Sequence, residues 1–367
     1  MSSVTERLGA LNQAGLQRHL AVADGIDLSS NDVLGLSKDP AVALAVRRAL
    51  EEGLPTGSTG SRLLSGEATH WSTLEARFAD WQGRERSLFF SSGYAANLGL
   101  LAGLIEAGDT VLSDELNHAS IIDGLRLSRG RVEIIPHGDL AAYEEGLKNA
   151  GPGAWIVVES VFSMDGDEAP LRALAELAQR YDARLIIDEA HSTGLYGGQG
   201  AGRCSELPSD LQPFASLHPC GKALGLSGAF VCADAATIEL LINKGRSFIY
   251  STAPTPMLVP ALHAAIDRIQ ALGDGRSRPL RLADRLRCAL EGRLEFGASR
   301  SQIVPIILGP VERAVGVSNA LAQRGWSLRP LRPPTVPEGT ARLRIVLRAD
   351  LSEDQVDCLA KDLVDVY

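Results

Sequence analysis

The stretch Leu185-Ile186-Ile187-Asp188-Glu189-Ala190-His191-Ser192-Thr193-Gly194 decides the fold. Its three apolar residues, two of them β-branched, read as a short strand buried on both faces, as in a parallel sheet covered by helices. A carboxylate directly after such a run needs a partner, and it stands where the carboxyl ends of parallel strands open onto a ligand crevice. Working outward, residues 87–90, 109–112 and 155–158 read as further strands. Residues 41–51, 71–81, 95–104, 171–180 and 235–243 read as helices between them. This alternation predicts an α/β protein whose large domain holds a mostly parallel mixed sheet. A polar, glycine-containing break at Gly273-Asp274-Gly275-Arg276-Ser277 suits a domain edge. A helical pattern over residues 278–294, a strand over 303–308, then another helix and strand predict a smaller α+β domain beyond it. The expected partition is an N-terminal segment 1–45, a large domain 46–272 and a small domain 273–367.

Downstream of Asp188, Lys222 lies in Gly221-Lys222-Ala223-Leu224-Gly225. An amine among small residues can approach an aldehyde closely and, deprotonated in a desolvated pocket, form a Schiff base. An acid at a strand end can pair with a protonated ring nitrogen. Together the two describe the ends of a pyridoxal phosphate site; singly, Asp188 also fits a metal, ribose or structural acid, and Gly221-Lys222 a solvated turn. Ser91-Ser92-Gly93-Tyr94-Ala95 follows a strand and opens a helix, so its backbone N–H groups are available to an anion, or to an ordinary serine cap. Asn117-His118-Ala119-Ser120 places an imidazole after another strand, either as a structural residue or stacked on a ring.

The 367 residues are 45% hydrophobic with a net charge of −9, enough apolar material for a large core. No arginine-lysine patch offers a footprint for nucleic acid, and no stretch reaches transmembrane length. Five cysteines (Cys204, Cys220, Cys232, Cys288, Cys358) without C-x-x-C spacing, and no apolar leader-like run, predict a reducing, cytoplasmic setting. The seven histidines lack metal-ligand spacing, so no metal is expected. Gly198-Gln199-Gly200-Ala201-Gly202 has no strand before it to make a dinucleotide loop and reads as a turn.

From Asn31 to Arg344 the chain resembles the α-oxoamine synthases, pyridoxal phosphate enzymes of fold type I. The resemblance rests on Asn31-Asp32-Val33-Leu34-Gly35-Leu36, the segment from Gly57 through Arg62 to Gly66, and Ser92-Gly93-Tyr94. It continues through Asn117-His118-Ala119-Ser120, Val161-Phe162-Ser163-Met164-Asp165-Gly166-Asp167, Asp188-Glu189-Ala190-His191 and Gly221-Lys222-Ala223-Leu224-Gly225. The resemblance implies that Lys222 holds the cofactor covalently, Asp188 pairs with its ring nitrogen and His118 stacks on the ring. His191 and Ser163 would lie near the phenolic oxygen, and the phosphate on Ser92, Gly93 and Tyr94. Ser251 and Thr252 would reach that phosphate across a homodimer interface, and Arg344 with Asn31 would clamp an amino-acid carboxylate.

The segment from Arg332 through Pro337 to Arg344 looks most like the branch of the family that serves biotin synthesis. That branch implies condensation of L-alanine with pimeloyl-CoA or its carrier-protein ester, with loss of carbon dioxide. Activities of the glycine C-acetyltransferase, serine palmitoyltransferase or 5-aminolevulinate synthase type, or a non-catalytic paralogue, are the alternatives. One departure stands out: Pro219 occupies the place, three residues before the lysine, where many relatives carry a threonine, and His218 or the Ser251-Thr252 pair is expected to supply the missing donor.

Overall fold

A computed structural model describes residues 3–20 and 22–367. The chain divides into two compact units, the larger made of Leu34–Ser163 and Glu168–Ser277, the smaller of Met1–Val33, Met164–Asp167 and Arg278–Tyr367.

The larger unit is built on seven strands: β1 (Arg86–Phe90), β2 (Thr110–Asp114), β3 (Arg131–Ile135), β4 (Trp155–Glu159), β5 (Arg184–Asp188), β6 (Ala215–Pro219) and β7 (Ala229–Ala233). Their spatial order is β1-β7-β6-β5-β4-β2-β3. Only β7 runs against the rest, antiparallel to both β1 and β6. Helices cover both faces, which is why β4 and β7 are buried at all five positions and read as continuous apolar runs. Alternate residues feed different cores: Val157 and Ile186 pack with Leu100, Leu101 and Val231, whereas Ile156 and Ile187 pack with Leu112 and Leu174. From β2 the sheet continues one way to β3 and the other way to β4, so a crevice opens at the carboxyl ends of the central strands.

Strands β3, β6 and β7 add to the four read from sequence. Strand β6, Ala-Ser-Leu-His-Pro, carries polar residues at alternate positions, yet four of its five residues are buried. Ser216 and His218 are tolerated inside because the His218 ring bonds the Ser216 and Thr193 hydroxyls, each at 2.8 Å.

In the smaller unit, β8 (Ile303–Gly309), β9 (Pro330–Leu331) and β10 (Ala341–Val346) form an antiparallel sheet in the order β9-β10-β8. Helices Arg278–Leu290, Val311–Ala322 and Glu353–Val366 enclose a core that includes Leu286, Leu290, Ile306, Leu343, Ile345 and Leu359. The helix expected over 278–294 stops at Leu290, shortly before Gly292 at φ 72°. The boundary placed at residue 45 falls instead at Val33, because the N-terminal residues are stitched into this unit. Ile26–Asp27 pairs with Trp326–Ser327, Val346 donates to the Leu28 carbonyl, and Ala349 donates to that of Val33. Met164–Asp167 joins them because the Gly166 carbonyl accepts from the backbone N–H groups of both Arg300 and Ser301 at 3.0 Å.

Candidate active site

Asp188 is the last residue of β5 and is 5% exposed. Asn97, on helix Gly93–Leu104, donates to its Oδ2 at 2.9 Å, and the Ala190 backbone donates to Oδ1 at 3.0 Å. The Asn97 amide also donates to Ser120 Oγ at 2.9 Å, and that hydroxyl lies 2.8 Å from His118 Nδ1. His118 caps helix Ala119–Ser128 by accepting from the Ser120 backbone through Nδ1, which leaves the proton of a neutral ring on Nε2. Burial holds the His118 pKa below the ordinary histidine range, with Lys222 adding to the effect and Asp188 opposing it. Burial raises Asp188 above its ordinary value, while Asn97, His118, Ala190 and Lys222 favour its charged form.

Lys222 sits in the turn between β6 and β7. Cys220 donates to the Gly228 carbonyl, Leu226 to that of Cys220 and Gly225 to that of Lys222, each at 2.9 Å. Gly225, at φ 68°, admits no side chain, since a Cβ there would stand 2.3 Å from the Ser37 nitrogen. The lysine loop is therefore fixed by backbone bonds and close packing.

These elements enclose a cavity of about 310 Å³. Ser92, Gly93, Tyr94, His118, Ser163, Asp188, His191 and Lys222 all line it. Ser92 caps helix Gly93–Leu104, its hydroxyl accepting from Ala95 at 3.1 Å, so the first N–H groups of that helix lie at the cavity. A Cβ on Gly93 would meet the Pro219 ring at 2.9 and 3.0 Å, so the close approach here depends on bare backbone. An anion cradle, a strand-end acid and a lysine on one cavity fit the phosphate, ring nitrogen and aldehyde carbon of pyridoxal phosphate.

His218 does not compensate for Pro219. The alternation of β6 turns the two residues to opposite faces, and only Pro219 lines the cavity. Both His218 ring nitrogens are engaged, the ring packs against Phe78 at 5.4 Å, and burial drives its pKa down to about 3. Ser251 and Thr252 follow helix Arg246–Ile249 and are not cavity-lining residues. In the smaller unit, Arg344 donates to Asn31 Oδ1 at 3.1 Å. Sequence reading missed Asn97, Ser120 and Glu159, which all line the cavity. Of these, Glu159 bore a visible signal: like Asp188, it is an acid that ends a buried apolar run.

The family model for aminotransferase class I and II matches residues 23–363. The chain belongs to the aminotransferase class I and II family. Within that family it is 42% identical over 378 residues to the 8-amino-7-oxononanoate synthase of Herminiimonas arsenicoxydans, covering 97% of each chain. A solved structure of serine palmitoyltransferase (SPT) with a PLP internal aldimine superposes with a TM-score of 0.90 at 27% identity, covering 99% of this chain and 96% of the other. The 8-amino-7-oxononanoate synthase of Francisella tularensis gives a TM-score of 0.81 at 28% identity, with 93% and 97% covered. As a member of this aminotransferase family, the protein has the expected fold, a mostly parallel mixed sheet with helices on both faces.

Proposed function

We propose that this protein condenses L-alanine with a pimeloyl thioester to give 8-amino-7-oxononanoate, carbon dioxide and the free thiol, a step of biotin biosynthesis. The protein is thus a pyridoxal phosphate-dependent acyltransferase. The observation that carries the reading is the convergence on one cavity of Lys222, of Asp188 held by Asn97, and of the helix start at Gly93. The substrates come from the 8-amino-7-oxononanoate synthases it resembles at 42% and 43% identity over 97% and 92% of its length.

Bound pyridoxal phosphate supplies an electron sink for the pair left on Cα when alanine loses its proton. Lys222 would hold the cofactor through its amine, and that amine would take the Cα proton of the substrate. Asp188 would pair with the protonated ring nitrogen, and neutral His118 would pack against the ring. Ser163 and His191 would hold the phenolic oxygen, and the backbone of Ser92, Gly93 and Tyr94 would hold the phosphate. Cα would bond to the thioester carbon as the C–S bond breaks and the thiolate leaves, taking a proton from water; the bond from Cα to the carboxyl group would then break, releasing carbon dioxide, and Lys222 would return its proton to Cα. Arg344, hydrogen-bonded to Asn31, is assigned to the amino-acid carboxylate. The reading includes a cytoplasmic homodimer in which Ser251 and Thr252 contribute to the partner's phosphate site.

The test is to incubate cofactor-loaded protein with pimeloyl-CoA and alanine, glycine or serine in turn, and to identify products by mass. Carbon dioxide and 8-amino-7-oxononanoate with alanine alone are expected. A product only with glycine or serine, or no product with pimeloyl-CoA or its carrier-protein ester, would overturn the substrate assignment.

A further inference from the structure

Strands β4 and β5 are parallel, and their last residues, Glu159 and Asp188, are register partners. Residues so paired project to the same face, and both line the cavity. Both are nearly closed to solvent, at 2% and 5% exposure. Two neighbouring carboxyls with so little solvent do not both ionise; the environment divides the charge between them.

The division is visible in the donors. Asp188 receives a side-chain N–H from Asn97 on one oxygen and a backbone N–H from Ala190 on the other. Glu159 also accepts backbone N–H groups, from His118 and Ser163, but its Oε1 is buried with no hydrogen-bond partner. We infer that Glu159 is the proton-holding member of a carboxyl pair and stays a neutral acid, which leaves Asp188 as the carboxylate of the site. The titratable groups sharing the cavity with Glu159 are Asp188, His118, His191, Lys222 and Tyr94. Burial and then the Asp188 charge lift Glu159 well above the carboxylate range; the His118 and Ser163 backbone N–H groups and Lys222 oppose this without reversing it. Glu159 is in this sense a positioning residue: its proton prevents like-charge repulsion from neutralising Asp188, so that Asp188 remains free to pair with a ring cation. That last role rests on the cofactor reading given above; the protonation state does not.

Infrared difference spectroscopy of the cofactor-free protein at pH 7, wild type minus Glu159→Gln, tests the protonation state directly. A protonated carboxyl C=O stretch lost in the variant is expected; loss of an ionised carboxylate band instead would overturn the inference. Pyridoxal phosphate titration then tests the consequence. Glu159→Gln, isosteric and permanently neutral, is expected to bind at least tenfold more tightly than Glu159→Ala, with the pKa of the visible absorbance band displaced by less than about half a unit from wild type. A downward displacement of a unit or more in Glu159→Gln would show that an ionised group had been removed. Failure of the wild type to bind the cofactor would sink the parent reading, and the infrared result would still decide the charge on Glu159.

Discussion

Asp188 and Glu189 are consecutive buried acids, and between them they separate the two sides of the β5 end. Asp188 faces the cavity and takes side-chain and backbone donors suited to a charge. Glu189, with no exposed surface, turns into a closed cluster where its Oε2 accepts from the Cys204 backbone at 3.3 Å. Its own carbonyl accepts from Ser192 and Thr193 at 3.2 and 3.0 Å, holding the turn that follows. Burial raises the Glu189 carboxyl to about 7, against the donors around it. Burial of an acid therefore records a cost, and the donors and the space it faces record its role.

The comparison predicts effects of different kinds. The largest should come from Asp188→Asn, which keeps the shape but removes the charge: kcat/KM is expected to fall by about 10²–10³-fold with little change in melting temperature. Glu189→Gln, which keeps the shape and the neutral form, should leave kcat/KM near the wild-type value, and equal activity losses in steady-state assays of both variants would erase the distinction. On the closed side, Gly202 has φ 106°, and a Cβ there would stand 1.9 Å from Glu189 Oε2. Gly202→Ala should cost about 3 kcal/mol or more of stability in denaturant titrations, and a change below about 1 kcal/mol would mean that the cluster is loosely packed.

A pH series sharpens the same contrast. Glu189 has a higher pKa folded than unfolded, so the native state binds the extra proton between pH about 4.5 and about 7. Its contribution is complete below the unfolded value and lost as pH rises through the folded one, a decline on the order of 3 kcal/mol. Glu189→Gln should flatten that portion of the stability curve, and an unchanged slope would contradict the raised pKa. The smallest effect expected is that of Asn97→Ala, which removes one donor from Asp188 and should lower kcat/KM about tenfold. It should also move the acidic limb of the kcat/KM profile upward, since the charged form of Asp188 loses support.

Sequence reading found the cavity side of this contrast more readily than the closed side. Asp188, Lys222, His118 and the Ser92-Gly93-Tyr94 turn stood out because each follows or opens a regular element and carries chemistry that an ordinary core avoids. Glu159 carried the same signature as Asp188 and passed unremarked because its strand was read only to Val158. Strand β6 was illegible for a different reason. His218 is buried at no exposure because Thr193, 25 residues earlier, meets its ring, a pairing no local pattern encodes. The Asn31–Arg344 bond spans 313 positions, and the attachment of residues up to Val33 to the C-terminal unit depends on pairings of similar range.

The measurement that most directly tests the assignment of the cavity is borohydride reduction of the pyridoxal phosphate-loaded protein, followed by peptide mapping by mass spectrometry. A phosphopyridoxyl group on the peptide containing Lys222, absent after Lys222→Ala, is the expected result. Its appearance on Lys38, Lys148, Lys244 or Lys361, or on no lysine, would contradict the assignment.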